Sequence, residues 1–369
     1  MIGLWLLGGC EALVVSFTDS GVDDTGDDPV WTVEQAWART GQVPWVRALS
    51  SRFVATGQTV TGDLEVLVID SGGRSEERLT WSPGVAGLPH ALSTHGSGAD
   101  DSFAFAWVEP GNGAPNAQLV RPVRQPAAWA GLEPETVSFV GSADPVGVGL
   151  TVEDLENPHT WLVGCSPSEL GVVGADSNGV LLSEGIDATA GTVCFTERTG
   201  TPDRALARAC TPGGECHSFS HNPLNEEQPL GQASSGWDGL DLAAVRGHGD
   251  LVVALSSTGE GSATWMDGAA SAGSEVLFGG QALAAVDVEV GDRAVAVGLL
   301  ADGGSGPLQA QVGASLSELA VVDLVVPDLG GVVPTGVGVA SLGAQVLVVV
   351  AGDSADGAGV VMWSVQALE

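Results

Sequence analysis

An all-β fold of seven repeated four-stranded units is what this sequence predicts, on three observations. The first is a recurring hairpin. In Leu251–Asp267 an apolar run, LVVAL, is followed by a turn of Thr258, Gly259, Glu260 and Gly261 and a second run ending at Trp265, the pattern of two strands split by a Gly turn. The second is its repetition. Equivalent runs begin near Phe53, Phe103, Val146, Val193, Leu251, Ala294 and Val346, at roughly 43 to 58 residue intervals, against the ~40–50 of a propeller blade. The third is a marker. Ser75-Glu76, Ser168-Glu169, Ser274-Glu275 and Ser317-Glu318 each follow a run start and precede a further apolar run. Together these predict a seven-bladed β-propeller with four antiparallel strands per blade. No long stretch keeps a helical period of 3.6, so alternating strands and helices are excluded.

Taken in order, the hairpins are Arg52–Asp70, Ser102–Val123, Val146–Ser166, Thr192–Pro212, Leu251–Asp267, Arg293–Val312 and Gln345–Val365. The Ser-Glu strings read as the starts of fourth strands, and the second and fourth repeats lack them. First strands are visible as Leu242–Asp250, Ala285–Asp292 and Gly336–Ala344. The seventh unit is one strand short at its carboxy end, whereas residues around Trp31–Trp37 belong to no hairpin. The expectation is that Thr32–Trp37 pairs with Val360–Val365, closing the ring through the two chain ends and leaving no sheet edge exposed there. Gly at 54 and Pro at 19 suit a chain of many tight turns.

Lys+Arg number 12 against 46 Asp+Glu, a net charge of −34. Such a surface repels nucleic acid, which is bound through clustered basic residues. Anionic membrane surfaces are excluded on the same ground.

The amino terminus, MIGLWLLGGC, holds an apolar run, Ile2–Leu7, and then Leu7-Gly8-Gly9-Cys10. Those four residues resemble the lipobox of bacterial lipoproteins, in which the Cys is lipidated. The n-region has no Lys or Arg and the apolar run is short for an export signal. Asp19–Asp28, DSGVDDTGDD, has five Asp and cannot bury apolar surface. It reads as a solvated tether; it lacks the alternating spacing of a calcium loop. The expected division is therefore residues 1–10 as signal segment, 11–30 as acidic tether and 31–369 as propeller. With the resemblance goes a location: the bacterial cell envelope, lipid-anchored, periplasmic or surface-exposed, with membrane contact only through the lipid.

Besides Cys10 there are four cysteines, Cys165, Cys194, Cys210 and Cys216. An even count in an exported chain points to disulfides, with three possible pairings. Cys210 and Cys216 flank a Pro-Gly-Gly turn, read as lying between strands three and four of the fourth unit. Their pairing leaves Cys165 with Cys194, between the third and fourth units. Cys210, Cys216, His217 and His221 would also suit zinc by residue type, but five residues separate the thiols and structural zinc sites favour closer spacing. No metal and no cofactor is expected.

The hairpins resemble repeats of secreted bacterial β-propellers, most closely at FAFAWVEPGNGAPNAQLVRP and VCFTERTGTPDRALARACTP. The resemblance implies a fold and no chemistry. The nearest string to a sialidase-type Asp-box, Ser257–Trp265, has Glu for Asp and the wrong spacing. No G-x-S-x-G, H-E-x-x-H or phosphate-binding Gly loop occurs. His90, His95, His159 and His248 are scattered and read as loop residues. Trp81, Trp107, Trp161, Trp265 and Trp363 read as packing between units.

The longest interruption, Ser220–Gly239, reads as a loop joining one unit to the next at a mouth of the central channel. Its Asn222, Glu226, Glu227, Trp237 and Asp238, with His159 and Arg198, are the candidate binding residues. No catalytic residue is assigned. The function expected is an envelope-anchored, non-enzymatic, monomeric propeller that binds a protein or glycan through a channel mouth. The alternative is a secreted polysaccharide hydrolase or lyase, with acid and base drawn from Glu109, Asp154, His159, Arg198 and the long loop.

Overall fold

In the computed structural model, the described residues are the strands given below, many of the turns joining them, and short adjoining stretches from Trp31 to Ala367. Side chains are described chiefly within 31–108 and 246–367. Residues 1–30, with Cys10 and the acidic tether, lie outside the described residues.

Among the described residues the strands form seven four-stranded antiparallel sheets. The first holds β2 (Trp45–Ala48), β3 (Arg52–Gln58), β4 (Leu64–Asp70) and β5 (Ser75–Trp81) in that order; β1 (Thr32–Gln35) joins the seventh. The second holds β6 (His90–His95), β7 (Ser102–Glu109), β8 (Asn116–Val120) and β9 (Glu135–Ser138). The third holds β10 (Gly147–Val152), β11 (Thr160–Cys165), β12 (Glu169–Asp176) and β13 (Gly179–Asp187). The fourth holds β14 (Val193–Arg198), β15 (Ala205–Cys210), β16 (Glu215–His221) and β17 (Gln232–Ser235). The fifth holds β18 (Leu242–His248), β19 (Leu251–Ser256), β20 (Gly261–Asp267) and β21 (Ala270–Val276). The sixth holds β22 (Leu283–Val290), β23 (Ala294–Leu300), β24 (Leu308–Gly313) and β25 (Ala320–Val322). The seventh holds β26 (Val333–Leu342), β27 (Gln345–Asp353) and β28 (Gly359–Ala367), with β1 as its fourth strand.

β1 lies antiparallel to β28 in the register Thr32↔Trp363, Val33↔Met362, Glu34↔Val361 and Gln35↔Val360. The expected pairing is therefore present as far as Gln35; Ala36 and Trp37 lie outside the described residues. The first strands touch in succession, β2 to β6, β10, β14, β18, β22 and β26, and β26 touches β2.

Burial explains why some strands were easier to read than others. Every residue of β19 is buried, and Leu251, Val253 and Leu255 pack with the sixth sheet. The strand therefore reads as an unbroken apolar run. β5 is a fourth strand with mostly exposed residues, and reads as SEERLTW. The core lies between sheets. Phe53, Leu67 and Ile69 of the first sheet pack with Leu347, Val349 and Trp363 of the seventh. Trp363 is buried and its Nε1–H donates to Gly73 O at 2.9 Å, in the turn between β4 and β5. That turn is fixed by Asp70, whose Oδ1 accepts from the N–H groups of Gly72 and Arg74 at 2.9 and 2.8 Å. The turn of the Leu251–Asp267 hairpin is held similarly: Ser256 Oγ accepts from Glu260 N–H at 2.9 Å, and Gly259 takes φ 86°, which favours glycine.

The third and fourth units differ from the sequence reading by one strand. Val146–Ser166 and Thr192–Pro212 supply strands one and two, not two and three. Ser168-Glu169 accordingly opens onto a third strand, β12. The cause is that every neighbouring pair in a meander repeats the same run–turn–run pattern, so the pattern does not number its strands. Likewise β21 ends at Val276, and Leu277 and Phe278 leave the sheet to bury against the sixth sheet. Phe278 does so at φ 58°, a left-handed conformation unusual for an aromatic residue.

Candidate functional site

The charged side chains that converge belong to first strands. On β2, WVRA, alternation puts Trp45 and Arg47 on one face and Val46 on the other. Arg47 is buried; its Nη1–H donates to Val46 O at 2.8 Å and its Nη2–H reaches Gly247 O on β18 at 3.5 Å. Its guanidinium lies 5.1 Å from the Trp45 ring centre. Arg246 of β18 approaches the same ring to 4.4 Å and is half-buried. Cations at such distances are attracted by the ring quadrupole. Sheets one and five are not neighbours in chain order, so Trp45 links strands from separate parts of the molecule.

Asp287 is the carboxylate of this group. It sits in the middle of β22, is 2 % exposed, and accepts Val339 N–H from β26 at 2.9 Å. A first strand has one edge without a strand partner, and this bond satisfies one of its donors. Burial raises the Asp287 pKa above the usual carboxylate range, while the Arg47 and Arg246 guanidiniums and the Val339 and Val288 amides pull it back. Burial lowers Arg246, with Asp287 opposing and Arg47 adding to the shift.

His90 opens β6 nearby and is buried, with Nδ1 3.3 Å from Leu88 O. Its Nε2 is buried without a hydrogen-bond partner, and the ring stands 5.9 Å from Phe105. Burial pulls its pKa down to about 4; the Leu88 carbonyl opposes this and Arg246 adds to it. Beside it Trp81 stacks on Phe105 at 5.4 Å and meets Trp107 at 6.0 Å, joining sheets one and two. His90 is thus a neutral core residue on a strand; His95 and His248 also lie on strands, at the ends of β6 and β18.

The residues singled out from sequence do not all fall together. Ser220–Gly239 is not one loop, because β17 runs through it. Asn222, Glu226 and Glu227 fall between β16 and β17, and Trp237 and Asp238 between β17 and β18; these five, with Asp154 and His159, lie outside the described residues. Arg198 ends a first strand and Glu109 a second strand. In their own antiparallel sheets they therefore stand at opposite ends. Cys210 and Cys216 lie directly opposite each other on β15 and β16, strands two and three of their sheet. Cys165 is on β11 and Cys194 on β14, strands that touch across neighbouring sheets.

Sequence reading passed over Trp45, Arg47, Arg246 and Asp287. The available signal was a lone charge inside an apolar first strand: WVRA, LAAVRGH and LAAVDVEV. In such a strand a charge has nowhere to go but toward a partner.

No protein-family model and no curated protein matches this sequence. Solved structures do match. One is the crystal structure of the WD40 domain of SCAP from fission yeast, with a TM-score of 0.50 and 10% identity, covering 92% of this chain and 98% of that one. At that identity the likeness concerns the fold alone. With the antiparallel sheets, it makes this chain a propeller-like repeat protein.

Proposed function

We propose that the chain is a seven-bladed propeller closed through β1 and carried on the bacterial envelope by a lipidated Cys10, where it binds a protein or glycan partner as a monomer. The observation that carries the closed form is the return of the first-strand succession from β26 to β2, with β1 completing the last sheet. What supports binding over catalysis is the state of Asp287. Its carboxylate is 2 % exposed and already accepts a backbone N–H, which holds it away from any substrate that would need it as an acid or base. The proposal includes disulfides Cys210–Cys216 and Cys165–Cys194, consistent with an oxidising compartment. Crosslinking intact envelopes, followed by identification of the adducts by mass spectrometry, tests the binding reading. One reproducible protein or glycan adduct is expected. Absence of any adduct above a no-crosslinker control overturns it. Cys10→Ser tests the anchor: the variant should move to the soluble fraction and lose labelled palmitate. A wild-type protein that is already soluble refutes the anchor and leaves the fold untouched.

A further inference from the structure

We propose that Arg246, stacked on Trp45, is a binding site for a carboxylate. Arg47 and Arg246 share one indole but differ in how they are engaged. Arg47 is buried and its guanidinium donates to the carbonyls of Val46 and Gly247. Arg246 is only half-buried. Among the described residues it meets the ring face at 4.4 Å and the field of Asp287. The ring face attracts the cation but accepts none of its N–H donors in their own plane. A guanidinium carries five donors in a rigid fork that matches the two oxygens of a carboxylate. Asp287 accepts Val339 N–H through Oδ2 at 2.9 Å and acts on Arg246 as a nearby charge, and among the described residues no hydrogen bond joins the two.

The electrostatics select the class of anion. The chain carries −34 overall, and its 12 basic residues are all Arg. A dianion approaching such a molecule meets twice the repulsion of a monoanion. Arg246 adds a single fork for it to bind. A singly charged carboxylate therefore fits better than phosphate. Two sources supply it: an Asp or Glu side chain of a partner protein, or a uronic sugar of an acidic glycan. The inference gives the partner of the proposed function a chemical mark, and in that respect rests on it.

The test uses the full chain with 15N-labelled arginine, whose Nε–H signals report each guanidinium separately. It is titrated with N-acetyl-glutamate amide and with glucuronate, with N-acetyl-glutamine amide, glucose and inorganic phosphate as controls. The Arg246 signal, assigned from its loss in Arg246→Gln, should move saturably with at least one carboxylate and with neither neutral analogue. The carboxylate that acts identifies the source. Arg246→Gln should weaken binding at least tenfold, whereas Arg246→Lys, which keeps the charge and loses the fork, should weaken it less. Lys also provides the assignment if the Gln variant does not fold. An unmoved Arg246 signal, equal response to the neutral analogues, or tighter binding of phosphate each overturns the inference. An unmoved signal alongside a reproducible envelope adduct discards the carboxylate site and keeps the binding reading.

Discussion

Trp363→Ala should be among the most damaging single substitutions, because it acts where the first and seventh sheets meet. Trp363 is 1 % exposed and packs in the cluster that joins Phe53 and Ile69 to Leu347 and Val361. An indole of this kind buries about 150–250 Å²; at ~25 cal/mol per Å² this corresponds to about 4–6 kcal/mol. Alanine keeps a small part of that and leaves a cavity, and measured Trp→Ala losses in cores run at ~3–5 kcal/mol. The Nε1–H bond to Gly73 O at 2.9 Å goes as well, adding about 1 kcal/mol. The expected loss is about 4–6 kcal/mol. Urea denaturation followed by far-UV circular dichroism and by intrinsic fluorescence measures it, with agreement of the two probes as the check on two-state behaviour. Trp363→Phe separates the parts: it keeps most of the ring and should lose about 1–2 kcal/mol. Val333→Ala, at a position 64% exposed on the same sheet, serves as the control and should change stability by less than about 0.5 kcal/mol. A Trp363→Ala loss below about 1 kcal/mol would refute the packing of the first sheet on the seventh.

Gly338→Ala should cost about 1–3 kcal/mol by overpacking: an added Cβ would sit 2.8 Å from Pro44 O and against the Val46 side chain, and a backbone carbonyl cannot rotate away; an unchanged urea midpoint would place β26 farther from β2. Protonation of His90 gives a pH dependence. Its folded pKa of about 4 lies below the 6.5 of an ordinary histidine, so the unfolded chain takes up the proton first. The folded state therefore loses stability as pH falls from about 6.5 toward 4, by about 2 kcal/mol between pH 7.5 and 5. Comparing urea midpoints of wild type and His90→Gln at those two pH values checks it; equal slopes would sink the assignment. Peptide mass spectrometry of unreduced protein from its native envelope should return Cys210 linked to Cys216 and Cys165 linked to Cys194, the shorter loop contributing about 2–3 kcal/mol; four free thiols would defeat both pairings.

The apolar second strands were plain in the sequence because burial on both faces favours apolar residues along most of their length, as in LVVALS and QVLVVVAGD. The Thr32–Gln35 pairing was legible by subtraction: one unit lacked a strand and one segment lacked a unit. Strand numbering in units three and four was not, since run, turn and run look alike wherever a meander is entered. The charged centre was hidden for another reason. Arg47, Arg246 and Asp287 are far apart in the chain, and only the gathering of first strands brings them to one indole and one amide. A single sequence shows which strands carry a misplaced charge, but not which of them meet.

The β1–β28 pairing also sets an order of events in folding. The strand that finishes the last sheet is among the first parts of the propeller to be synthesised, and its partner is among the last. Until Val360–Trp363 exists, the backbone groups that Thr32–Gln35 pairs with are missing. The earlier sheets can each form from local hairpins. Completing the seventh sheet must wait for a contact spanning nearly the whole chain, the kind of contact that slows folding most. A circular permutant joining the carboxy end of β28 to the start of β1, which the antiparallel register brings close together, would turn that slowest contact into a hairpin. It should refold faster while keeping the same final structure.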